Sequence, residues 1–460
     1  MIAEPPPAPP APEAAEPRVW RVGTLVYNKR GLTTLLCWLL WGDFAWSLRE
    51  RGIGKVASLL LKKFGASDLM VGLLVGSLPA AIGMVLGPII SMKSDRHRGR
   101  WGRRIPFLLI PTPILVLSLV GMAFAAHLGE TVHGALGTSS PGVSVCQLVT
   151  FAVFLTLFEI CSVTANSLFV ALINDVVPQE LIGRTFSLFR IVSLFAGILF
   201  FSSAMEHAEA NQAVIFLGIA LIFGGGFTLM CLLVREGQYP PPPAPTHRGG
   251  PLGPALTYLR ECFSHRYYLL VFTAMTFGML AQGPVNSFSV LYAKSLGMNM
   301  GFYGKCLALT YAISLVASFP LGWLADRFHP LRVGLVVLVL YAAFTLAGGF
   351  LAITPASFAI CFIIHGVLTG AYLTGTAALA QRLFPREKFG QFNSAWGLLS
   401  ALSYGLLPPI IGATLDATGH NYRLTFFAGS ILAFIAAATY LLVNRRFDQM
   451  GGPTGYVAPE

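Results

Sequence analysis

Long apolar stretches separated by short polar ones fill most of this sequence. Twelve of them reach the ~18 residues that an α-helix needs to cross a bilayer. They fall at about 32–61, 68–92, 105–127, 146–174, 181–204, 212–234, 266–295, 300–325, 331–352, 355–383, 388–414 and 421–444. Phe64–Asp68 (FGASD) supplies the turn between the first two, with an Asp placed to start the second helix. The pattern therefore predicts an all-α membrane protein of twelve transmembrane helices, not the two or three soluble domains that length alone suggests. The longest polar interruption holds YPPPPAPTHRGGPLGP, whose proline density cannot continue a helix. Residues 236–265 are thus expected to be a linker between six-helix halves at 31–235 and 266–446. The Pro/Ala-rich residues 1–30 are expected to be a disordered tail without the apolar core of a cleavable signal, and 447–460 a second tail.

Composition sharpens this picture: 55% of residues are hydrophobic and only 11% charged. The net charge of +11 invites a nucleic-acid reading, but its placement argues for topology. With the N-terminus in the cytoplasm, 23 of the 31 Lys and Arg fall in the tails and loops of that side. Short positive loops stay inside, so both termini are expected to be cytoplasmic, with no nucleic-acid partner. The seven cysteines show no CxxC pair and no histidine at ligand spacing, so they read as small packing residues and no metal is expected.

The two halves repeat one another. Asp95-Arg96, at the end of the second span, precedes a run of arginines that includes Arg103 and Arg104; Asp326-Arg327 ends the eighth span and precedes Arg332. Pro178, Glu180, Gly183 and Ser187, after the fourth span, recur at the same spacing as Pro385, Glu387, Gly390 and Ser394 after the tenth. Parallel duplication of six-helix units is a transporter plan with the substrate site between the halves. On these residues the chain resembles the major facilitator superfamily. Its segments GPIISMKSDRHRGRWGRRIPF and Asp43-Phe44-Ala45-Trp46-Ser47-Leu48 are similar to the sucrose–proton symporters and the glycoside–pentoside–hexuronide cation symporters. The resemblance implies a central cavity lined by spans 1, 4, 7 and 10 and opened alternately to each side. It also implies that Asp95, Arg96, Arg103, Arg104, Asp326 and Arg327 form a conformational gate, with Asp95 meeting the other half when the protein faces outward.

Those four spans carry polar stripes at helix-face spacing. They are Asp43, Ser47 and Arg51; Glu159, Ser162 and Asn166; Gln282, Asn286 and Ser289, with Tyr292 a turn later; and His365, Thr369 and Tyr372. Asp43 and Glu159 are the acids placed deep in spans, where an ionisable group faces a partner or a wet cavity. The functional reading is a proton-coupling or substrate-hydroxyl site, and the alternative is a structural ion pair of Asp43 or Glu50 with Arg49 or Arg51. The resemblance sharpens Glu159, which stands where the sucrose symporters carry an Asp connected with proton coupling. Their sugar-contacting Arg falls here on Val170, which puts sucrose itself in doubt. Arg49, Arg51 and Lys55 add positive charge that suits an anionic sugar or simply neutralises Asp43 and Glu50. His365 is a core histidine or a cavity residue, and Trp46 and Trp396 stack on a sugar face or pack.

The resulting expectation is a proton-coupled symporter of a sugar, glycoside or sugar acid in the plasma (inner) membrane, contacting lipid and working as a monomer. No cofactor beyond the proton is expected. Sodium is less favoured, because span 2 lacks the acid pair that the sodium-coupled sugar symporters use. An exporter of another metabolite or drug, and a non-transporting assembly factor or sensor on the same fold, are the alternatives. An enzyme is not expected, since the sequence has no P-loop, nucleophile elbow or HExxH.

Overall fold

The structure is a computed structural model that describes residues 19–239, 260–385 and 388–459. Its main elements are α1 (Lys29–Lys63), then α2 (Asp68–Arg96), α3 (Ile105–Ala123), α4 (Val143–Val176), α5 (Gln179–Ser203) and α6 (Gln212–Leu233) in the first half. The second half holds α7 (Arg266–Ser295), α8 (Met300–Phe328), α9 (Pro330–Leu351), α10 (Pro355–Leu383), α11 (Phe389–Ala417) and α12 (Leu424–Gln449). Among the described residues, 11 of these helices are apolar enough throughout to cross a membrane on composition. The twelfth, α1, has the length at 35 residues but carries Asp43, Arg49, Glu50, Arg51 and Lys55 in its middle and outer turns. Local signals set the starts. Ser67 accepts from the Met70 amide ahead of α2, Asn299 caps α8, and Thr354 with Ser357 forms a reciprocal box at α10.

Three spans depart from regular winding. α2 opens into a wider π-type turn over Gly72–Ser77. α7 breaks between Leu280 and Gly283, and α10 breaks between Gly375 and Leu379. The disorder expected of residues 1–30 does not extend to all of them. Residues 1–18 lie outside the described residues, but β1 (Trp20–Val22) and β2 (Leu25–Tyr27) pair as an antiparallel hairpin. Gly23 makes that turn at φ 56, a conformation glycine adopts without steric cost. Of the expected linker, residues 240–259 lie outside the described residues, whereas Glu236 and Tyr239 pack on the first half.

Twelve helices in succession place the start of α1 and the end of α12 on one side of the molecule, here called the termini side. One apolar core runs through the first half and continues into the far-side ends of α7, α8, α10 and α12, taking in Tyr292, Tyr303, Phe358 and Phe426. The termini-side part of the second half has its own core around Tyr268, Phe272, Tyr372 and Tyr440. The halves are therefore joined at the far side and part toward the termini side.

Candidate functional site

A cavity of about 500 Å³ lies between the halves, lined from α1, α2, α5, α7, α8 and α10. Helical spacing on α1 turns Arg51 and Lys55 toward it on one face. The Arg51 guanidinium donates to Tyr311 Oη on α8 (2.9 Å) and to Ser193 Oγ on α5 (3.0 Å). Lys55 Nζ donates to the Asn286 carbonyl and, at 2.9 Å, to Ser289 Oγ on α7. Both cations thus bridge the halves through neutral acceptors. On the opposite wall His365 is 1% exposed. Its Nδ1 lies 2.8 Å from Tyr341 Oη and its Nε2 3.2 Å from Asn286 Oδ1. Tyr341 Oη donates to the Ala281 carbonyl (3.2 Å), so its oxygen accepts from a neutral ring protonated at Nδ1, and Nε2 accepts from the Asn286 amide turned to present its nitrogen. Gln282 occupies the break in α7, where its amide donates to the Gly278 carbonyl (3.4 Å).

Several of the expected site residues sit elsewhere. Arg49 turns into the first half, with its guanidinium 4.0 Å over the Trp46 ring and bonded to Ser162 Oγ. Glu159 lies within electrostatic reach of Arg49 and Glu50, so Arg49, Glu159 and Ser162 form a charged cluster on α1 and α4. Asp43 is buried on α1, and one of its carboxylate oxygens has no hydrogen-bond partner among the described residues. Trp46 is enclosed by Phe169 (5.8 Å) and Phe227 (5.7 Å) and so is closed to a sugar face. Tyr372 ties α10 to α12 through Tyr440 Oη (2.8 Å). Trp396 packs against the second-half core. Asn166 is exposed on α4. None of Asp43, Trp46, Arg49, Glu159, Asn166 or Tyr372 lines the 500 Å³ cavity, whereas Arg51, Gln282, Asn286 and His365 do.

The arginine-rich loop folds against its own half. Asp95 pairs with Arg104, and Arg103 and Arg104 both hold Asp175 at the end of α4, at 2.5 and 3.1 Å. The bonds to Asp175 keep the Arg103 guanidinium above its ordinary pKa. Glu236 accepts the backbone N–H groups of Arg103, Arg104 and Ile105 at 2.9, 2.8 and 2.7 Å, covering the positive start of α3. Arg96 is exposed. In the second half Asp326 lies 3.9 Å from Arg382, and Arg327 sits 5.4 Å over Trp323.

Sequence reasoning missed Glu236 as the cap of α3 and Tyr311 as the acceptor of Arg51; neither carries a spacing signal. Arg190, one of the 23 Lys and Arg counted above on the cytoplasmic side, lines the cavity.

At the far side α2 and α11 close on each other. Asp416 accepts the backbone N–H groups of Asp68 and Leu69, each at 2.8 Å. The fully buried Asp68 carboxylate takes Lys62 (2.8 Å), His420 (2.7 Å) and Tyr422 (3.0 Å). Hydrogen bonds and ion pairs between the halves cluster from this end down to the cavity, so the cavity is reached from the termini side.

A sequence profile of the family described as MFS/sugar transport protein matches residues 59–384. The chain belongs to that family. The 11 apolar helices among the described residues agree with an integral, multi-pass membrane protein of the major facilitator fold. The chain is 24% identical over 285 residues to monocarboxylate transporter 12-B of Danio rerio, covering 54% of this chain and 58% of that one. It is 23% identical over 212 residues to the probable galactarate/D-glucarate transporter GudP of Escherichia coli, covering 44% and 46%. The chain spans about half the length of the curated relatives it matches. A bacterial homologue of the human lysosomal transporter Spinster, solved inward-facing and unoccupied, shares the major facilitator fold at TM-score 0.69 and 15% identity, covering 94% of this chain and 100% of that one.

Proposed function

We propose that this major facilitator protein is a proton-coupled symporter of a sugar, glycoside or sugar acid, working by alternating access. The observation that carries this reading is the 500 Å³ cavity between the halves, closed at the far side and walled by cations on one face and neutral hydrogen-bonding groups on the other. A volume of that order suits a small polyhydroxyl molecule held by a few convergent polar groups. The names of the two relatives, a monocarboxylate transporter and a probable galactarate/D-glucarate transporter, support including acids among the substrates. Both termini would be cytoplasmic, the protein a monomer in the plasma membrane, and the state described inward-facing.

Glu159 is assigned the coupling proton, with Asp43 as the second candidate. Arg49 lies within electrostatic reach of Glu159 and can compensate its charge when the carboxyl group gives up its proton. The test is uptake into proteoliposomes driven by an imposed pH gradient. Glu159→Gln is expected to abolish gradient-driven accumulation while leaving substrate exchange across the membrane intact. Accumulation equal to that of the parent protein would remove Glu159 from the mechanism.

A further inference from the structure

The cavity lining carries more positive than negative charge. It includes Arg51, Lys55 and Arg190 against a single acid, Glu50, which forms no ion pair among the described residues. Arg51 and Lys55 donate to Tyr311, Ser193, Asn286 and Ser289, all neutral, and Arg51 Nε has no hydrogen-bond partner among the described residues. Arg190, on α5, lines the cavity with no hydrogen bond or ion pair to any described residue. Arg190 is exposed, and an ionisable group within a membrane span faces a counter-charge or a wet pathway.

We infer that the substrate of this cavity is a sugar carrying one carboxylate, not a neutral sugar, and that Arg190 is its docking cation; this rests on the symporter reading above. An arginine fork matches a carboxylate with two parallel N–H···O bonds. The hydroxyls of such a molecule then face Gln282, Asn286, His365 and Thr369 on the neutral wall. A single uncommitted fork fits a monoanion better than a phosphate dianion, whose charge would need Arg51 and Lys55 released from the contacts that join the halves.

The test is thermal unfolding of the purified full-length protein in nanodiscs with D-glucuronate, D-glucose, glucose 6-phosphate and chloride at matched concentrations. D-glucuronate is expected to raise the Tm, and D-glucose and chloride to leave it unchanged. Arg190→Gln should weaken the apparent affinity for D-glucuronate about ten-fold or more, the scale of a lost charge-assisted contact. Arg190→Lys, which keeps the charge but not the fork, should fall between. Equal stabilisation by D-glucose, stronger stabilisation by glucose 6-phosphate, or an Arg190→Gln protein that binds D-glucuronate normally would each overturn the inference and leave the symporter reading standing. A shift with none of these compounds, together with no accumulation of any of them in proteoliposomes under a pH gradient, would overturn both.

Discussion

His329 shows how one residue can hold a turn and set a pH response. It joins α8 to α9 at φ 74, and its ring accepts from the Leu331 amide at 3.3 Å while packing 4.5 Å from Phe447. Burial, with Arg382 and Arg332 nearby, lowers its pKa to about 4. The unfolded chain then binds a proton near pH 6.5 that the folded chain refuses, so stability is full above that pH and falls as pH drops toward 4. His329→Asn keeps a side-chain acceptor and tolerates the left-handed backbone. It should flatten the dependence of Tm on pH between about 6.5 and 4, read by thermal unfolding across that range. An unchanged slope would assign the response to other groups. At this scale the sequence was legible in part. The stripe Asp43, Ser47, Arg51 pointed toward the cavity at its Arg51 end, because successive positions at i+4 share a face. Arg49, two residues before Arg51, is turned about 200° away at ~100° per residue, so it packs on Trp46 and not in the cavity. Arg190 was misplaced because a cation about three turns into a helix reads the same whether it snorkels to the interface or faces a wet cleft.

Element boundaries were the most legible feature, since twelve apolar runs bounded by turn residues leave little freedom in where helices start and stop. The irregularities within them were not. The breaks at Gln282 and Thr376 and the wide turn at Gly72–Ser77 answer to neighbouring helices, and a single span's pattern does not contain its neighbours. The hairpin at Trp20–Tyr27 was invisible because three-residue strands are too short for alternation to register. The α2/α11 crossing carries the sharpest consequence. A Cβ added at Gly72 would lie 2.5 Å from the Pro408 carbonyl oxygen, and one at Gly412 would run into the Asp68 carbonyl. Backbone cannot yield as a side-chain tip does, so these two glycines permit the far-side closure. Gly412→Val should disfavour the closed far side and leave the helices themselves formed. A cysteine placed at Ser287, on the cavity lining, should then react with an impermeant thiol reagent applied from the far side several-fold faster than in the glycine parent. Equal rates would show that the crossing relaxes around the added carbons.

For the whole molecule, access to the cavity depends on how much holds the far side shut against how much joins the termini side. In the state described, the loop arginines are engaged by Asp95, Asp175 and Glu236 within their own half, and Asp326 by Arg382 within the other. The far side instead joins the halves through Asp416 on the start of α2, and through Asp68 with His420 and Tyr422. Asp68 is enclosed, so removing its partners leaves a buried charge that Lys62 alone must balance. Hydrogen bonds to charged groups contribute about 1.5–3 kcal/mol each, enough to shift a two-state population ten-fold or more. Asp416→Ala, which uncaps α2 and removes both amide contacts, should therefore move the protein toward the state open on the far side. Glu209 and Lys294 give a convenient ruler. They form an exposed ion pair of 2.8 Å across the halves at that end, and such pairs contribute ~1 kcal/mol or less, so spin labels can replace them at small cost. Distances between labels at 209 and 294 should be short and narrow in the parent and gain a long component in Asp416→Ala. Asp95→Ala should not lengthen them, because its partner Arg104 lies in the same half at the opposite end. A long component appearing with Asp95→Ala and not with Asp416→Ala would mean that closure is governed from the termini side, with the far-side contacts following it.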